Sequence, residues 1–341
     1  MLSEAQFKEI KHELDTCQRP LFFFHDDADG VCSFLQFYRY ADKGKGLMVK
    51  AVPNIGDNYL HSVQSYDPDK IFILDIAMVE QSFLDSVHVP VIWIDHHEPV
   101  ERTKVKYYNP MLSTPKSHIC VSALCYLTLK KDLWIGAAGT VGDWQLHPFM
   151  KEFAEQYPSL LDKNITKPEE ALFSSGIGRL SRIISFMLKG TTSEAMSSIK
   201  VFARIEDPYE ILDQKSSRGR YIIKRFSDID KHYAKLYKEA TASVKKDPLL
   251  LFTYKDAKYS FTGDLSNELL FRYPDKVILL GREKSGEMRC SLRSAKTPIL
   301  PVLKKALEGV NGYGGGHPNA CGCAVKVEDF EKFIEHLRKA L

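Results

Sequence analysis

Acidic residues and histidines follow three short apolar runs within the first hundred residues. The runs with the residues that follow them are Leu21–Phe24 before His25-Asp26-Asp27-Ala28-Asp29-Gly30, Ile71–Leu74 before Asp75, and Val91–Ile94 before Asp95-His96-His97. Carboxylates that gather at one place repel one another unless a cation neutralises them. Mixed carboxylate and imidazole ligands suit Mn²⁺, with Mg²⁺ or Co²⁺ as substitutes. The pattern therefore predicts a divalent-metal site.

The three runs are the elements that must position these side chains. Short runs rich in β-branched and aromatic residues, bounded by polar turns, are typical of buried strands. Helical stretches between them predict parallel strands of an α/β sheet. In such sheets ligands bind beyond the carboxyl ends of the strands. All the acids and histidines would meet there.

The spacing of the acids suggests two adjacent ions. Asp27 and Asp29 lie two apart in a turn, Asp75 stands alone at a strand end, and Asp143 follows the small-residue segment Leu133–Val141. With His96, these side chains could hold two ions about 3.5–4 Å apart, which is the arrangement used for in-line attack at phosphorus. An Asp at a strand end is by itself ordinary turn chemistry. The ordered set of such residues favours the metal site.

The C-terminal part of the sequence contains a second group of candidate residues, near Gly312-Tyr313-Gly314-Gly315-Gly316-His317. Consecutive glycines let main-chain N–H groups approach a phosphate, although a flexible turn is the alternative. Upstream, strand alternation places Arg289, Ser291 and Arg293 on one face. That face is suited to phosphate contacts, and a solvated strand face is the alternative. We expect substrate binding from the two features together.

Three regions are predicted along the chain: a catalytic metal-binding domain over 1–150, a helical extension and connector over 151–245, and a smaller α/β domain over 246–341. The predicted fold class is α/β, with a parallel sheet in the first domain. A further strand is expected at 48–52 and a buried helix at 117–129. An amphipathic helix is expected at 228–244. In the last domain the expected strands are 249–254, 259–262, 276–280 and 287–291, and the expected helices are 266–273, 298–310 and 327–340.

Composition is that of an ordinary globular protein. The chain has 341 residues, 44% of them hydrophobic, and a net charge of +3, which permits an anionic substrate without predicting a large nucleic-acid surface. Seven cysteines without a Cys-x-x-Cys pair argue against disulfides and a zinc knot. The N-terminus lacks a signal peptide's apolar core, and the sequence lacks an apolar run of about 20 residues. We expect a cytoplasmic protein that does not span a membrane.

The motifs at the two ends of the chain together resemble those of a known family. The acidic turn after the first run, Asp75, Asp95-His96-His97 and Gly142-Asp143 resemble the four ordered motifs of the DHH phosphoesterase superfamily. The glycine run and Arg289–Ser294 resemble the type 1 DHH-associated C-terminal domain. The pairing is similar to that of RecJ-like and NrnA-like nucleases. Together the motifs cover both ends of the chain, and the middle helical region carries none.

The resemblance implies roles for individual residues. The ligands of a two-Mn²⁺ site would be His25, Asp27, Asp29, Asp75, His96 and Asp143. Asp95 would support His96 from behind, His97 would face the scissile phosphate, and Asp75 would take part in catalysis. Substrate would be bound by His97, Ser291, Arg293, Gly314, Gly315, Gly316 and His317.

The function implied is a Mn²⁺-dependent phosphodiesterase, an exonuclease that releases mononucleotides from single-stranded DNA or RNA or from short oligonucleotides. One alternative keeps the chemistry but acts on 3′-phosphoadenosine phosphate or cyclic dinucleotides. Another is a catalytically inactive nucleic-acid-binding scaffold. A homodimer and a DNA-repair or replication protein partner are left open.

Overall fold

The computed structural model describes residues 1–50, 54–255 and 258–341. The chain forms two compact units, Met1–Phe226 and Ser227–Leu341. The strands and helices of the first unit, in chain order, are α1 (Glu4–Asp15), β1 (Pro20–His25), α2 (Ala28–Ala41), β2 (Lys45–Val49), β3 (Asn54–Ile55), α3 (Leu60–Tyr66), β4 (Lys70–Leu74), β5 (Met78–Val79), α4 (Gln81–Ser86), β6 (Val91–Ile94), β7 (Lys106–Tyr108), α5 (Val121–Leu129), α6 (Leu133–Gly142), α7 (Met150–Gln156), α8 (Pro168–Ser174), α9 (Gly176–Met187), α10 (Thr192–Phe202) and α11 (Pro208–Leu212).

The main sheet of the first unit has the strand order β2-β1-β4-β6-β7, and every pairing in it is parallel. Its central strands are buried on both faces: Phe22, Phe23, Ile73 and Trp93 have no exposed surface. Burial on both faces explains why these strands appear in the sequence as continuous apolar runs. The predicted parallel α/β sheet is therefore confirmed, and the carboxyl ends of β1, β4 and β6 share one edge.

Helix α2 begins directly at that edge. Asp27 caps it, since its Oδ1 accepts the Gly30 N–H at 2.9 Å, which satisfies one of the otherwise unpaired N–H groups of the first turn. A Cβ at Gly30 would lie 2.6 Å from the His25 carbonyl oxygen. Glycine at this position therefore allows the first turn of α2 to fold back onto the end of β1, close to the acidic turn.

The second unit is built around a mixed five-stranded sheet. Helix α12 (Ser217–Ala242) runs from the first unit into the second; the elements that follow are β8 (Leu249–Lys255), α13 (Thr262–Arg272), β9 (Val277–Lys284), β10 (Glu287–Arg293), α14 (Ile299–Ala306), β11 (Gly312–His317), β12 (Ala320–Lys326) and α15 (Phe330–Ala340). The strand order is β11-β12-β10-β9-β8, with β8 and β9 parallel and the other pairs antiparallel. Its core lies between the sheet and α14 and α15.

Several expected elements differ from the structure. Residues 259–262 form no strand; α13 begins at Thr262 instead. The turn considered for the glycine run is edge strand β11, because its residues pair in antiparallel register with β12. The expected helix at 117–129 begins at Val121, and the expected helix at 228–244 is the second half of the longer α12. Of the strand expected at 48–52, Met48 and Val49 belong to β2, and residues 51 and 52 lie outside the described residues.

No helix in the described parts of the chain combines the length and the apolar character needed to cross a bilayer. The seven cysteines are all buried free thiols. The disulfide framework that the sequence argued against is thus not formed in this structure.

Candidate metal centre

Asp75 is the central residue of the acidic edge. It follows β4 in the left-handed backbone region, with φ 58°, and only 1% of its surface is exposed. Both carboxylate oxygens are buried and form no hydrogen bond of ordinary geometry with the described residues, and histidine ring nitrogens lie 3.3 and 3.4 Å from them. A buried, unsatisfied carboxylate is costly, by about 1–3 kcal/mol or more. Its position therefore requires positive charge nearby, from protonated imidazoles or from a bound cation.

Two histidines flank this carboxylate from neighbouring strands. His25 Nδ1 lies 3.4 Å from Asp75 Oδ2 and 2.8 Å from Asp27 Oδ2. His96 Nε2 lies 3.3 Å from Asp75 Oδ1, and its Nδ1 lies 3.8 Å from Asp143 Oδ2. Ligand atoms of His25, Asp27 and Asp75 all fall within 4.8 Å of one another, as do those of Asp75, His96 and His97. The structure thus brings together residues from four separate chain segments.

Asp29 is placed deeper, against the start of α5. Its two oxygens accept the N–H groups of Val121 and Ser122 at 2.9 and 2.7 Å. The positive end of a helix favours a carboxylate at this position. These bonds orient Asp29 so that its Oδ2 also lies 4.0 Å from His96 Nε2.

Asp143 caps the end of α6 beside Asp29. Its Oδ2 accepts a hydrogen bond from Gln145 Nε2 at 2.9 Å, and the Gln145 side-chain oxygen accepts the Cys120 N–H at 3.0 Å. Ligand atoms of Asp29, Asp143 and Cys120 form a third group within 4.8 Å. A thiol therefore lies next to two of the predicted carboxylate ligands.

The arrangement of Asp95 corrects one expectation. It was expected to support His96, but its Oδ1 lies 2.8 Å from His97 Nδ1 and its Oδ2 accepts the His97 N–H at 3.1 Å. Both bonds place the Asp95 carboxylate against His97 in the turn that follows β6, so Asp95 supports His97 and not His96. Asn109 fixes the same turn, because its Nδ2 donates to the His97 carbonyl at 2.9 Å.

The protonation of the cluster follows from burial and charge. Burial alone lowers the pKa of His25, but Asp27 and Asp75 raise it to about 11. For His96, Asp75, Asp143 and Asp29 likewise overcome burial and raise the pKa to about 10. Burial and the neighbouring carboxylates raise the pKa of Asp29 and of Asp143. Without a metal, protonated imidazoles supply the counter-charge, and a divalent cation would replace those protons.

The donor set fits divalent cations. It combines carboxylate oxygens and imidazole nitrogens, which are ligand types that bind divalent metal ions in proteins. The orphaned oxygens of Asp75 lie between two groups of potential ligands. The three clusters could therefore hold metal ions.

The candidate substrate residues of the second unit are arranged differently. As predicted, Arg289, Ser291 and Arg293 share the open face of β10, since their neighbours Cys290 and Leu292 enter the core. Arg293 is held internally: Nε donates to Asn267 Oδ1 at 2.8 Å and Nη1 donates to the Leu292 and Cys321 carbonyls at 2.9 and 3.1 Å. Its guanidinium ties β10 to α13 and β12.

The glycine strand lies at the sheet edge. Gly314 and Gly316 pass close to β12, where an added Cβ would lie 2.6 and 2.5 Å from the neighbouring strand, whereas Gly315 has open space around it. His317, at the end of this strand, is exposed. Beside the strand lies a cavity of about 450 Å³, lined among others by Arg289, Tyr313, Gly314 and Gly315.

Sequence reasoning missed the residues that hold the site from behind. Asn109 follows the short strand β7 and precedes Pro110, and an Asn-Pro pair after a strand was an available turn signal. Gln145 and Cys120 carried no such signal, because their role depends on contacts between residues 25 apart. Tyr313, with 66% of its surface exposed, was visible within the glycine run but was not singled out.

Two family models match the sequence. The DHH family N-terminal domain matches residues 21–143, and the DHHA1 domain matches residues 248–341. The first match spans His25, Asp75, His96 and Asp143, and the second spans the glycine strand. A comparison with curated proteins found no match.

Solved structures share the fold at low sequence identity. A RecJ exonuclease bound to manganese superposes with a TM-score of 0.68 at 16% identity, over 99% of this chain and 94% of that one. RecJ from Thermus thermophilus in complex with Mn²⁺ gives 0.65 at 15% identity, over 98% and 54%. The pGpG-specific phosphodiesterase PggH from Vibrio cholerae gives 0.50 at 14% identity, over 94% and 98%.

The order of the motifs, the parallel sheet that gathers them and the two matching family models agree. This chain belongs to the DHH phosphoesterase superfamily, whose members are generally metal-dependent hydrolases, and it carries a DHHA1 domain at its C-terminal end.

Proposed function

We propose that this protein is a Mn²⁺-dependent phosphodiesterase that removes mononucleotides from the end of single-stranded DNA, RNA or short oligonucleotides. The observation that carries the proposal is the buried Asp75 carboxylate, which makes no hydrogen bond of ordinary geometry with the described residues and lies within 3.4 Å of two histidine nitrogens. Such a group needs compensating positive charge, which a metal ion would supply in place of the imidazole protons, and the surrounding residues offer further ligands.

Six side chains would hold two ions: His25, Asp27, Asp29, Asp75, His96 and Asp143. When bound, the ions would lower the pKa of a water molecule and offset the negative charge that develops at the phosphate. The protein's own contribution is to fix the ligands. Asp27 is held by the first turn of α2 and Asp29 by the N-terminal amides of α5, so neither has to reorganise during the reaction.

His97 would contact the scissile phosphate. Asp95 binds its Nδ1, which leaves Nε2 as the ring nitrogen without a partner in the described part of the protein. Burial lowers the pKa of His97, but the Asp95 carboxylate raises it above the usual value on balance. A protonated ring keeps Nε2–H available to donate to a phosphate oxygen.

The second unit would bind the substrate away from the reacting phosphate. Its open face offers Arg289 and Ser291, beside Arg293, whose guanidinium is bonded within the unit, and the edge strand offers Gly314, Gly315, Gly316 and His317. The exposed ring of Tyr313 lines the same cavity as Arg289. A cation beside an aromatic ring is suited to a phosphate next to a stacked base.

The test is time-resolved digestion of DNA and RNA oligomers labelled at the 5′ or the 3′ end, with Mn²⁺ present. We expect mononucleotides to be released stepwise from one end, and EDTA to stop the reaction. Denaturing gels would report polarity, sugar preference and length limit together. A protein that binds Mn²⁺ but hydrolyses none of the oligomers would contradict the proposal.

A second candidate substrate is a small nucleotide. The structural neighbour PggH, 98% of whose chain is covered by this one, is named for its action on pGpG. Rates on a dinucleotide, a cyclic dinucleotide, 3′-phosphoadenosine phosphate and a long oligomer would separate the two candidates. The third alternative, an inactive scaffold, predicts that calorimetry detects no Mn²⁺ binding.

A further inference from the structure

A cavity of about 1010 Å³ lies beside the edge strand β2, within the first unit. We call it the basic basin. It is bounded by the C-terminal half of α2, the start of β2, the end of α10 and the segment that follows. Its lining includes Tyr38, Lys45, Lys131, Lys200, Arg204 and Arg218.

The basic basin is distinct from the metal centre. In the β1–β2 register, Val49 lies opposite His25, whereas Lys45 lies opposite Leu21. Four residues of strand correspond to about 13 Å. The basin is therefore at the far end of β2 from the acidic cluster, and none of the six proposed metal ligands lines it.

Positive charge dominates its rim. Five lining cations, Lys45, Lys131, Lys200, Arg204 and Arg218, face only two lining carboxylates, Asp42 and Glu206. A sixth cation, Arg39, is already neutralised by Asp132 at 2.8 Å.

Two of these cations are uncompensated. Over the residues that the structure describes, Lys200 and Arg204 have no ion-pair partner, and both are exposed. Like charges held together without counter-charge repel one another, so an anionic ligand would be favoured here.

The floor of the basin is aromatic. Phe34 is buried and stacks on Phe24 with ring centroids 4.3 Å apart, and the half-buried ring of Tyr38 lies against it at 5.3 Å. A Cβ at Gly46 would come within 2.6 Å of the Phe34 ring. Glycine at this position thus brings the β2 backbone down onto the aromatic floor.

We infer that the basic basin binds single-stranded nucleic acid, holding nucleotides remote from the one being cleaved. This inference rests on the proposed function, because a single strand would be held in the basic basin as the substrate of the metal centre. Proteins that bind single strands combine a cationic groove with aromatic rings, and the basin offers its cations and the half-buried ring of Tyr38. The volume lies at the upper end of the roughly 300–1,000 Å³ typical of ligand sites, which leaves room for more than one phosphate group.

An acidic peptide that adds to the β2 edge is the competing ligand, because edge strands accept extended peptides. The nucleic acid is favoured because the cations come from several separate segments around the aromatic floor, and are not aligned along β2 alone. Both ligands are therefore included in the test.

The test measures binding without hydrolysis. The dissociation constant of a labelled 12-nucleotide single strand is measured by fluorescence anisotropy in EDTA for the wild-type protein and for Lys200→Glu/Arg204→Glu. We expect the double variant to bind the 12-mer at least tenfold more weakly. Its affinity for a 3-mer should fall less, so the dissociation constant for the 12-mer divided by that for the 3-mer should rise. The neutral Lys200→Gln/Arg204→Gln variant should lose affinity to a smaller extent, and its salt dependence should fall by about 1.4 in slope, or 0.7 per cation.

The matched control is Lys8→Glu/Lys163→Glu, which makes the same charge change at two exposed lysines outside the basin. It should stay within about twofold of wild type. Equal losses in the two charge-reversed variants would show an effect of net charge only and would overturn the inference. Tighter binding of a 12-residue polyglutamate than of the oligonucleotide, lost only in the basin variants, would also overturn it.

Failure of the proposed function is a separate result. It would be seen as absence of hydrolysis by the wild-type protein with Mn²⁺, whereas the binding measurement contains no metal. A thermal melt of each variant checks that folding is unchanged, so loss of binding reports on the basin itself.

Discussion

The acidic edge of the first unit and the open face of β10 in the second unit both contain charged residues that the sequence marks as functional. Their surroundings differ. Asp75 is buried with two oxygens that receive no hydrogen bond from the described residues. Arg293, although partly buried, makes three hydrogen bonds to its own domain. The contrast teaches that a charge balanced only by titratable imidazoles leaves a place for an external cation, whereas a charge with well-formed hydrogen bonds contributes to the fold.

The largest effect is expected at Asp75. In Asp75→Asn we expect turnover with Mn²⁺ to fall by about a thousandfold or more, because loss of one ligand carboxylate removes several kcal/mol of charge stabilisation. Asn tolerates the left-handed backbone at this position better than Ala does. Steady-state hydrolysis of an oligonucleotide and calorimetric titration with Mn²⁺ are the measurements.

The control for this change is Asp67→Asn. Asp67 also has a left-handed backbone, with φ 55°, but it ends helix α3 and pairs at the surface with Arg19. It should keep turnover within about twofold of wild type. An Asp75→Asn protein that remains active and binds its full complement of metal would remove the basis of the metal-centre assignment.

The same contrast explains how much of the site could be predicted from sequence. The ends of parallel strands meet at one edge, so the apolar runs before His25, Asp75 and Asp95 sufficed to place these residues together. The partners of these residues could not be found in this way. Asp29 is held by amides of Val121 and Ser122, more than ninety positions away, and no local pattern records such a contact.

Predictions for the second unit were less complete for a related reason. Alternation along β10 correctly placed Arg289 and Arg293 on one face, because a strand has a period of two. The pattern does not reveal whether a cation on that face is bound internally. It also does not distinguish a glycine turn from the edge strand Gly312–His317, since that assignment depends on pairing with β12. The strand expected at 259–262 was wrong, because residues 259–261 precede helix α13 and Thr262 begins it.

The second-largest effect is expected for a change at Arg293, and it is an effect on the stability of the second unit. Arg293→Ala removes three hydrogen bonds and leaves the Asn267 oxygen and two carbonyls without this donor, at a cost of about 2–3 kcal/mol. Since every tenfold change corresponds to about 1.4 kcal/mol, amides of β10 and β12 should exchange about 30- to 140-fold faster. Hydrogen-exchange mass spectrometry on the full chain measures this directly.

Arg289→Ala is the matched control, because Arg289 lies on the same strand face but is 58% exposed, 3.7 Å from Glu287. An exposed pair of this kind contributes about 0–1 kcal/mol, so exchange in β10 should change little. If Arg293→Ala instead raises KM while exchange in β10 and β12 is unaltered, Arg293 binds substrate and the structural assignment is wrong.

The smallest effect is expected at His317, which is exposed at the end of the glycine strand and whose side chain makes no hydrogen bond or ion pair within the described residues. His317→Ala should leave amide exchange unchanged and raise KM for an oligonucleotide by about tenfold, or about 1.4 kcal/mol, with kcat nearly constant, because removal of a uniform binding contact acts on KM. His336→Ala, a histidine of α15 in the same unit, should leave both parameters as in wild type. A fall in kcat without a rise in KM would place His317 in the chemical step, and the division between an unsatisfied reacting centre and a separate binding surface would no longer hold.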